Sequence, residues 1–248
     1  MLRLDSRVDS AELGRYFATL AEHLARTEVT SGSGEALDFS EGLNQVIGWA
    51  RKTHAAGNKL IFLGNGGSAA IASHMAADFS KNGKVRSLAL NDSSMLTCIS
   101  NDLGYHRVFA EQIEMHAARG DLVLAISSSG RSANILQAVD AARERRCAVV
   151  TLSGFAADNP LRARGDFNFY IASDRYGFVE IAHLTLCHAV LDFLCGLRAP
   201  EDIFERVADG AGQPRLHLAI PRVIAPPLDG SSYASEAFAI DSVESAKR

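Results

Sequence analysis

A short apolar run, Leu60-Ile61-Phe62-Leu63, followed at once by Gly64-Asn65-Gly66-Gly67-Ser68-Ala69-Ala70, admits few folds. Apolar residues without polar interruption suit a strand covered on both faces, as in a parallel sheet. The glycines allow positive φ and let a ligand approach the backbone. Ser68 and the small residues after it open a helix whose unpaired N–H groups and positive dipole end attract an anion. The stretch predicts a strand, a tight turn shaped for a phosphate or carboxylate, and a helix. Gly64-x-Gly66-x-x-Ala69 also satisfies the looser dinucleotide pattern, with Asp92 as the ribose acid, so a dinucleotide oxidoreductase is one reading.

A second loop of the same kind separates the alternatives. Residues 121–126 read as another buried strand, apolar from Leu122 to Ile126, followed by Ser127-Ser128-Ser129-Gly130-Arg131-Ser132-Ala133-Asn134 and a helical pattern. Hydroxyls and helix-terminal N–H groups bind phosphate oxygens without magnesium. One serine is enough to cap a helix, and this loop has four. A dinucleotide site leaves the second loop unexplained. No Walker lysine follows either glycine loop, which excludes an NTPase P-loop.

Around these loops the pattern alternates. Strands are predicted at 60–63, 85–90, 122–126, 148–152 and 167–171, with helices at 69–79, 95–99, 108–116, 133–146 and 178–196. That alternation implies parallel βαβ units, with ligands bound outside the carboxyl ends of the strands. Residues 10–27 place Leu13, Phe17, Leu20 and Leu24 on one helical stripe, Thr30-Ser31-Gly32-Ser33-Gly34 breaks it, and a second helix runs over 39–56. The expected organisation is a helical lead-in over 1–57, an α/β domain over 58–198 and a proline-rich extension over 199–248. The extension holds Pro200, Pro214, Pro221, Pro226 and Pro227, and its apolar run 216–224 is expected to adhere to the body before a disordered end.

With 248 residues, 47% of them hydrophobic, the chain can bury one sizeable core. A net charge of −4 excludes a nucleic-acid or anionic-membrane footprint. No apolar run approaches ~18 residues, and the first ten residues are too mixed for a signal peptide. Cys98, Cys147, Cys187 and Cys195 lack C-x-x-C spacing and are expected to be reduced, as in a cytoplasmic protein.

The segments Leu63-Gly64-Asn65-Gly66-Gly67-Ser68, Ser100-Asn101-Asp102-Leu103-Gly104-Tyr105, 125–134 and Val150-Thr151-Leu152-Ser153-Gly154 resemble SIS (sugar isomerase) domains. The resemblance is nearest to the phosphoheptose isomerase branch and runs over about 39–197. It implies a flavodoxin-like five-stranded parallel sheet flanked by helices, and a homotetramer whose N-terminal helices pack between subunits. It also implies isomerisation of sedoheptulose 7-phosphate to D-glycero-D-manno-heptose 7-phosphate through an enediol, with no organic cofactor. Ser68, Ser127, Ser128, Ser129 and Ser132 would hold the phosphate, with Asn65, Gly66 and Gly67 also at the substrate, and Asp92 would bind the sugar hydroxyls.

Such a reaction needs a base at carbon and an acid at oxygen. His74 and Asp78 share a helix face at i and i+4, and Glu180 and His188 stand eight residues apart on the late helix. By resemblance Asp78 takes the place of the catalytic glutamate, His188 that of the catalytic histidine, and His74 that of another active-site histidine. Glu180 stands where the family has glutamine and is an alternative base. Phe178 replaces an arginine. His74, Asp78, Glu180 and His188 are also suitable zinc ligands, and some relatives carry zinc there. His183 reads as a core histidine. The rival reading is a non-catalytic SIS module that binds a phosphosugar or a protein partner such as the replication initiator.

Overall fold

In this computed structural model, residues 8–197, 206–208 and 214–216 are described. Helix α1 (Ser10–Ala25) opens in a capping box: Asp9 accepts from the Glu12 N–H, and Glu12 accepts from the Asp9 N–H. The segment expected as a plain break is a hairpin of β1 (Glu28–Ser31) and β2 (Ala36–Leu37), with Gly34 in its turn at φ 84°. Helix α2 (Phe39–Ala55) follows, N-capped by Asp38.

The chain then alternates through β3 (Leu60–Gly64), α3 (Gly67–Lys81), β4 (Ser87–Ala89), α4 (Ser93–Leu103), a 3-10 turn (Tyr105–Arg107) and α5 (Ala110–His116). It continues with β5 (Leu122–Ser127), α6 (Ala133–Glu144), β6 (Ala148–Gly154), β7 (Phe167–Ile171) and α7 (Tyr176–Leu194). Separately, β8 (Arg206–Ala208) pairs antiparallel with β9 (Pro214–Leu216). The rest of the expected extension, including all but the first residue of its apolar run, lies outside the described residues.

The sheet order is β2-β1-β7-β6-β5-β3-β4. Its five parallel strands, β4-β3-β5-β6-β7, have the flavodoxin-like order. The sheet is larger than the five strands expected, because β1 adds antiparallel to the open edge of β7, pairing Val29 with Phe169. That edge would otherwise present unpaired N–H and C=O groups. Val29 is buried, and Gly42 lets its side chain reach α2.

Alternate residues point to opposite faces of a strand, so the sheet carries two cores. Leu60, Phe62, Leu122 and Leu124 face α2, α3 and α7, while Ile61, Leu63, Val123 and Ala125 face α4, α5 and α6. Helix α7 is the one helix among the described residues apolar and long enough to span a membrane. Its contacts with α2, α3 and β6 make it a core helix. Adjacent strands β3 and β5 send their helices to opposite faces, which opens a crevice at their carboxyl ends.

Candidate active site

Both loops meet in that crevice. Gly66, at φ 55°, turns the chain into α3, and Gly64 lies so close to Ser68 that a Cβ there would come within 2.7 Å of it. In the second loop Gly130, at φ 60°, donates its N–H to the Ser127 carbonyl at 3.0 Å, and any side chain there would collide with Asn159 Oδ1. The loops enclose a cavity of about 230 Å³ lined by Asn65, Gly66, Gly67, Ser68, Ile126, Ser127, Ser128, Ser129, Ser132, Tyr176 and Glu180. Every predicted phosphate-loop residue lines it. Ser128 is 5% exposed, and its Oγ is buried with no hydrogen-bond partner among the described residues. A buried hydroxyl left unpaired is unfavourable, which suits one that waits for a ligand oxygen.

Asn65 is fixed from its far side. Its amide exchanges hydrogen bonds with Asn134 at 2.9 Å, and Tyr105 donates to its Oδ1 at 3.0 Å. Beneath the serine loop lies a buried polar layer. Asn168 donates to Thr151 and Ser153, Asn159 donates to the Gly154 and Ala156 carbonyls, and the Gly154 N–H donates to the Ser128 carbonyl. His183 is the core histidine expected: its Nε2 is 3.1 Å from the Ser153 carbonyl, and burial pushes its pKa down to about 4.

A second cluster lies further along α3. His74, Asp78 and His188 bring their ligand atoms within 4.8 Å of one another. His74 Nε2 is 3.5 Å from Asp78 Oδ2, and the two imidazoles are 5.3 Å apart. Two nitrogens and one carboxylate at this spacing form a donor set that fits zinc with an open position. Glu180 is not in this set; it sits beside Gly67, at the mouth of α3. Helices α3 and α7 therefore run side by side in the same direction, with Glu180 facing the first cluster and His188 the second.

Asp92 does not line the cavity. As the N-cap of α4 its carboxylate accepts from the Met95 N–H at 2.9 Å. Tyr176, which does line it, gave no signal in the sequence, because an aromatic at a loop-to-helix junction has no periodicity to mark it. All four cysteines are free, and burial raises the thiols of Cys147 and Cys187 to about 11 and about 12.

Comparison with known proteins gives concordant matches. The family profile described as SIS domain matches residues 35–154. A phosphoheptose isomerase of Geobacter sp. (strain M21) is 34% identical over 163 residues, 63% of this chain and 84% of that protein. One from Solidesulfovibrio magneticus is 40% identical over 161 residues, 62% of this chain and 76% of that protein. The structure of phosphoheptose isomerase GmhA from Neisseria gonorrhoeae superposes with a TM-score of 0.64 at 30% identity, covering 74% of this chain and 98% of that one.

Proposed function

The chain belongs to the phosphoheptose isomerase family of SIS-domain proteins, and we propose that the crevice between β3 and β5 is where it performs that family's reaction. It is an isomerase that interconverts sedoheptulose 7-phosphate and D-glycero-D-manno-heptose 7-phosphate. The observation that carries the site assignment is the spacing of the two clusters. Glu180 marks the serine cavity and His188 the histidine–aspartate cluster, eight residues on along α7, or about 12 Å at 1.5 Å per residue. That separation is on the order of the extended length of a seven-carbon phosphate ester. A phosphate held by the serines and the α3 N-terminus would present C1 and C2 to Asp78 and His188.

In this arrangement Asp78 removes a proton from C1 of the ketose and returns it to C2. His188 gives a proton to the C2 oxygen and receives one from the C1 oxygen, so the enediol forms and collapses without a net change in the protein. His74 holds the Asp78 carboxylate in place. The same His74, Asp78 and His188 would fit zinc, which would polarise the substrate oxygens as an alternative to the proton from His188; no organic cofactor is called for.

We also propose a cytoplasmic homotetramer. The free cysteines suit a reducing compartment, and α1 has no buried residue, with Leu13 49% and Phe17 58% exposed. The decisive experiment is incubation with sedoheptulose 7-phosphate and detection of aldoheptose by NMR. No turnover of any C5–C7 ketose phosphate would leave the rival reading, a phosphosugar-binding module without catalysis.

A further inference from the structure

The cavity assigned to phosphate has an unusual charge. Among the described residues that line it, none is a lysine or arginine, and the one charged side chain is the carboxylate of Glu180. Glu180 is half-buried and has no hydrogen-bond or ion-pair partner among the described residues. It lies directly over the first residue of α3: a Cβ on Gly67 would be 2.5 Å from Glu180 Oε1 and closer still to Oε2. Free N–H groups and the positive end of a helix favour a negative group at such a place. The opposite wall, by contrast, ends in the unpaired buried hydroxyl of Ser128. One wall of the anion site already has an anion on it, and the other does not.

We propose that Glu180 guards the cavity by standing at the α3 terminus where an oxygen of a bound phosphate would stand, so that a phosphate enters only by displacing it. This rests on the reading of the cavity as the phosphate site. The consequence is a threshold for occupancy. Inorganic phosphate gains only the cradle and meets the carboxylate at full cost. A phosphosugar long enough to reach Asp78 and His188 gains contacts there that offset the displacement. Glu180 thus keeps bare phosphate from holding the cavity at concentrations where the long sugar phosphate still binds.

Isothermal titration of the full chain with inorganic phosphate and with sedoheptulose 7-phosphate tests this, in the wild type and in Glu180→Gln and Glu180→Ala. Both variants should bind inorganic phosphate roughly tenfold or more tightly than the wild type, since like charges at contact distance repel strongly in a half-buried site. Sugar phosphate binding should tighten by a similar factor, since the displacement cost is common to both ligands. Adding Ser128→Ala to Glu180→Gln should reverse much of the gain. Equal or weaker inorganic phosphate binding in both variants, with sugar phosphate still bound, overturns the role of Glu180 alone. Failure of all proteins to bind either ligand overturns the phosphate cavity as well.

Discussion

Asp78 has a shorter arm than the glutamate the family resemblance places there, by one methylene or about 1–1.5 Å, and a 1 Å misplacement can cost about a hundredfold in rate. The structure seats its carboxylate 3.5 Å from His74 Nε2 and beside His188, with Glu180 at the other cluster. Asp78→Asn should therefore lower turnover at least about a hundredfold while leaving sugar phosphate affinity nearly unchanged. Loss of turnover in Glu180→Gln, with Asp78→Asn active, would move the base to Glu180. Metal analysis of His74→Ala, read by mass spectrometry rather than rate, shows whether the cluster holds zinc. His183 makes a different prediction. Its folded pKa, about 4, lies below the usual value near 6.5, so the neutral form is the one the fold accepts. Its contribution to stability is complete above about pH 6.5 and is lost as pH falls toward 4, on the order of 3 kcal/mol. Denaturant titrations should show the wild type weakening more over that interval than His183→Gln, which has no group to protonate there.

Where β3 and β5 begin, Asp121 ties the two strands together. Its buried carboxylate accepts from the Lys59 N–H at 3.0 Å, from Lys59 Nζ at 2.6 Å and from the Ala118 N–H at 2.8 Å. It thereby sets the register that pairs Leu60 with Leu122 and brings both phosphate loops level. Asp121→Ala leaves a lysine and two N–H groups without their partner and should cost about 3–5 kcal/mol in urea denaturation. The central strands were legible because each is a bounded apolar run. The glycine and serine loops were legible because a turn and the helix after it are local events. The β1–β2 hairpin was not, since its short mixed strands form by pairing with the free edge of β7, far along the chain. The four-ligand set failed for a related reason. Spacing within α7 gives the angle between Glu180 and His188 but not their axial offset against α3, which assigns them to different clusters. Asp92 stood at a strand end and also at a helix start, and the cap claimed its side chain.

On the α1 stripe Leu24 packs against the core, whereas Leu13 and Phe17 are exposed and are the residues the proposed assembly would cover. Tyr16 touches Phe178 of α7, at 4.7 Å between rings, while Leu13 and Phe17 remain outside. Light scattering at micromolar concentration should report a tetramer, and the double change Leu13→Glu with Phe17→Glu should give smaller species; a wild-type monomer would contradict the proposal. The pairing of β1 with β7 bears on how such a chain is born. Synthesis runs from the N-terminus at about 5–20 residues per second, so Val29 leaves the ribosome seconds before Phe169, the residue it must lie beside, has been made. Until then β1 and β2 have no sheet to join, and α2 has no α7 to lean on. Ribosome-bound chains halted before Phe167 should remain open to protease around residues 28–37, and chains long enough to expose α7 should be protected there. The earliest strand of this sheet is thus among the last to be secured, and until β7 has been made that strand stays available to chaperones or to the wrong partner.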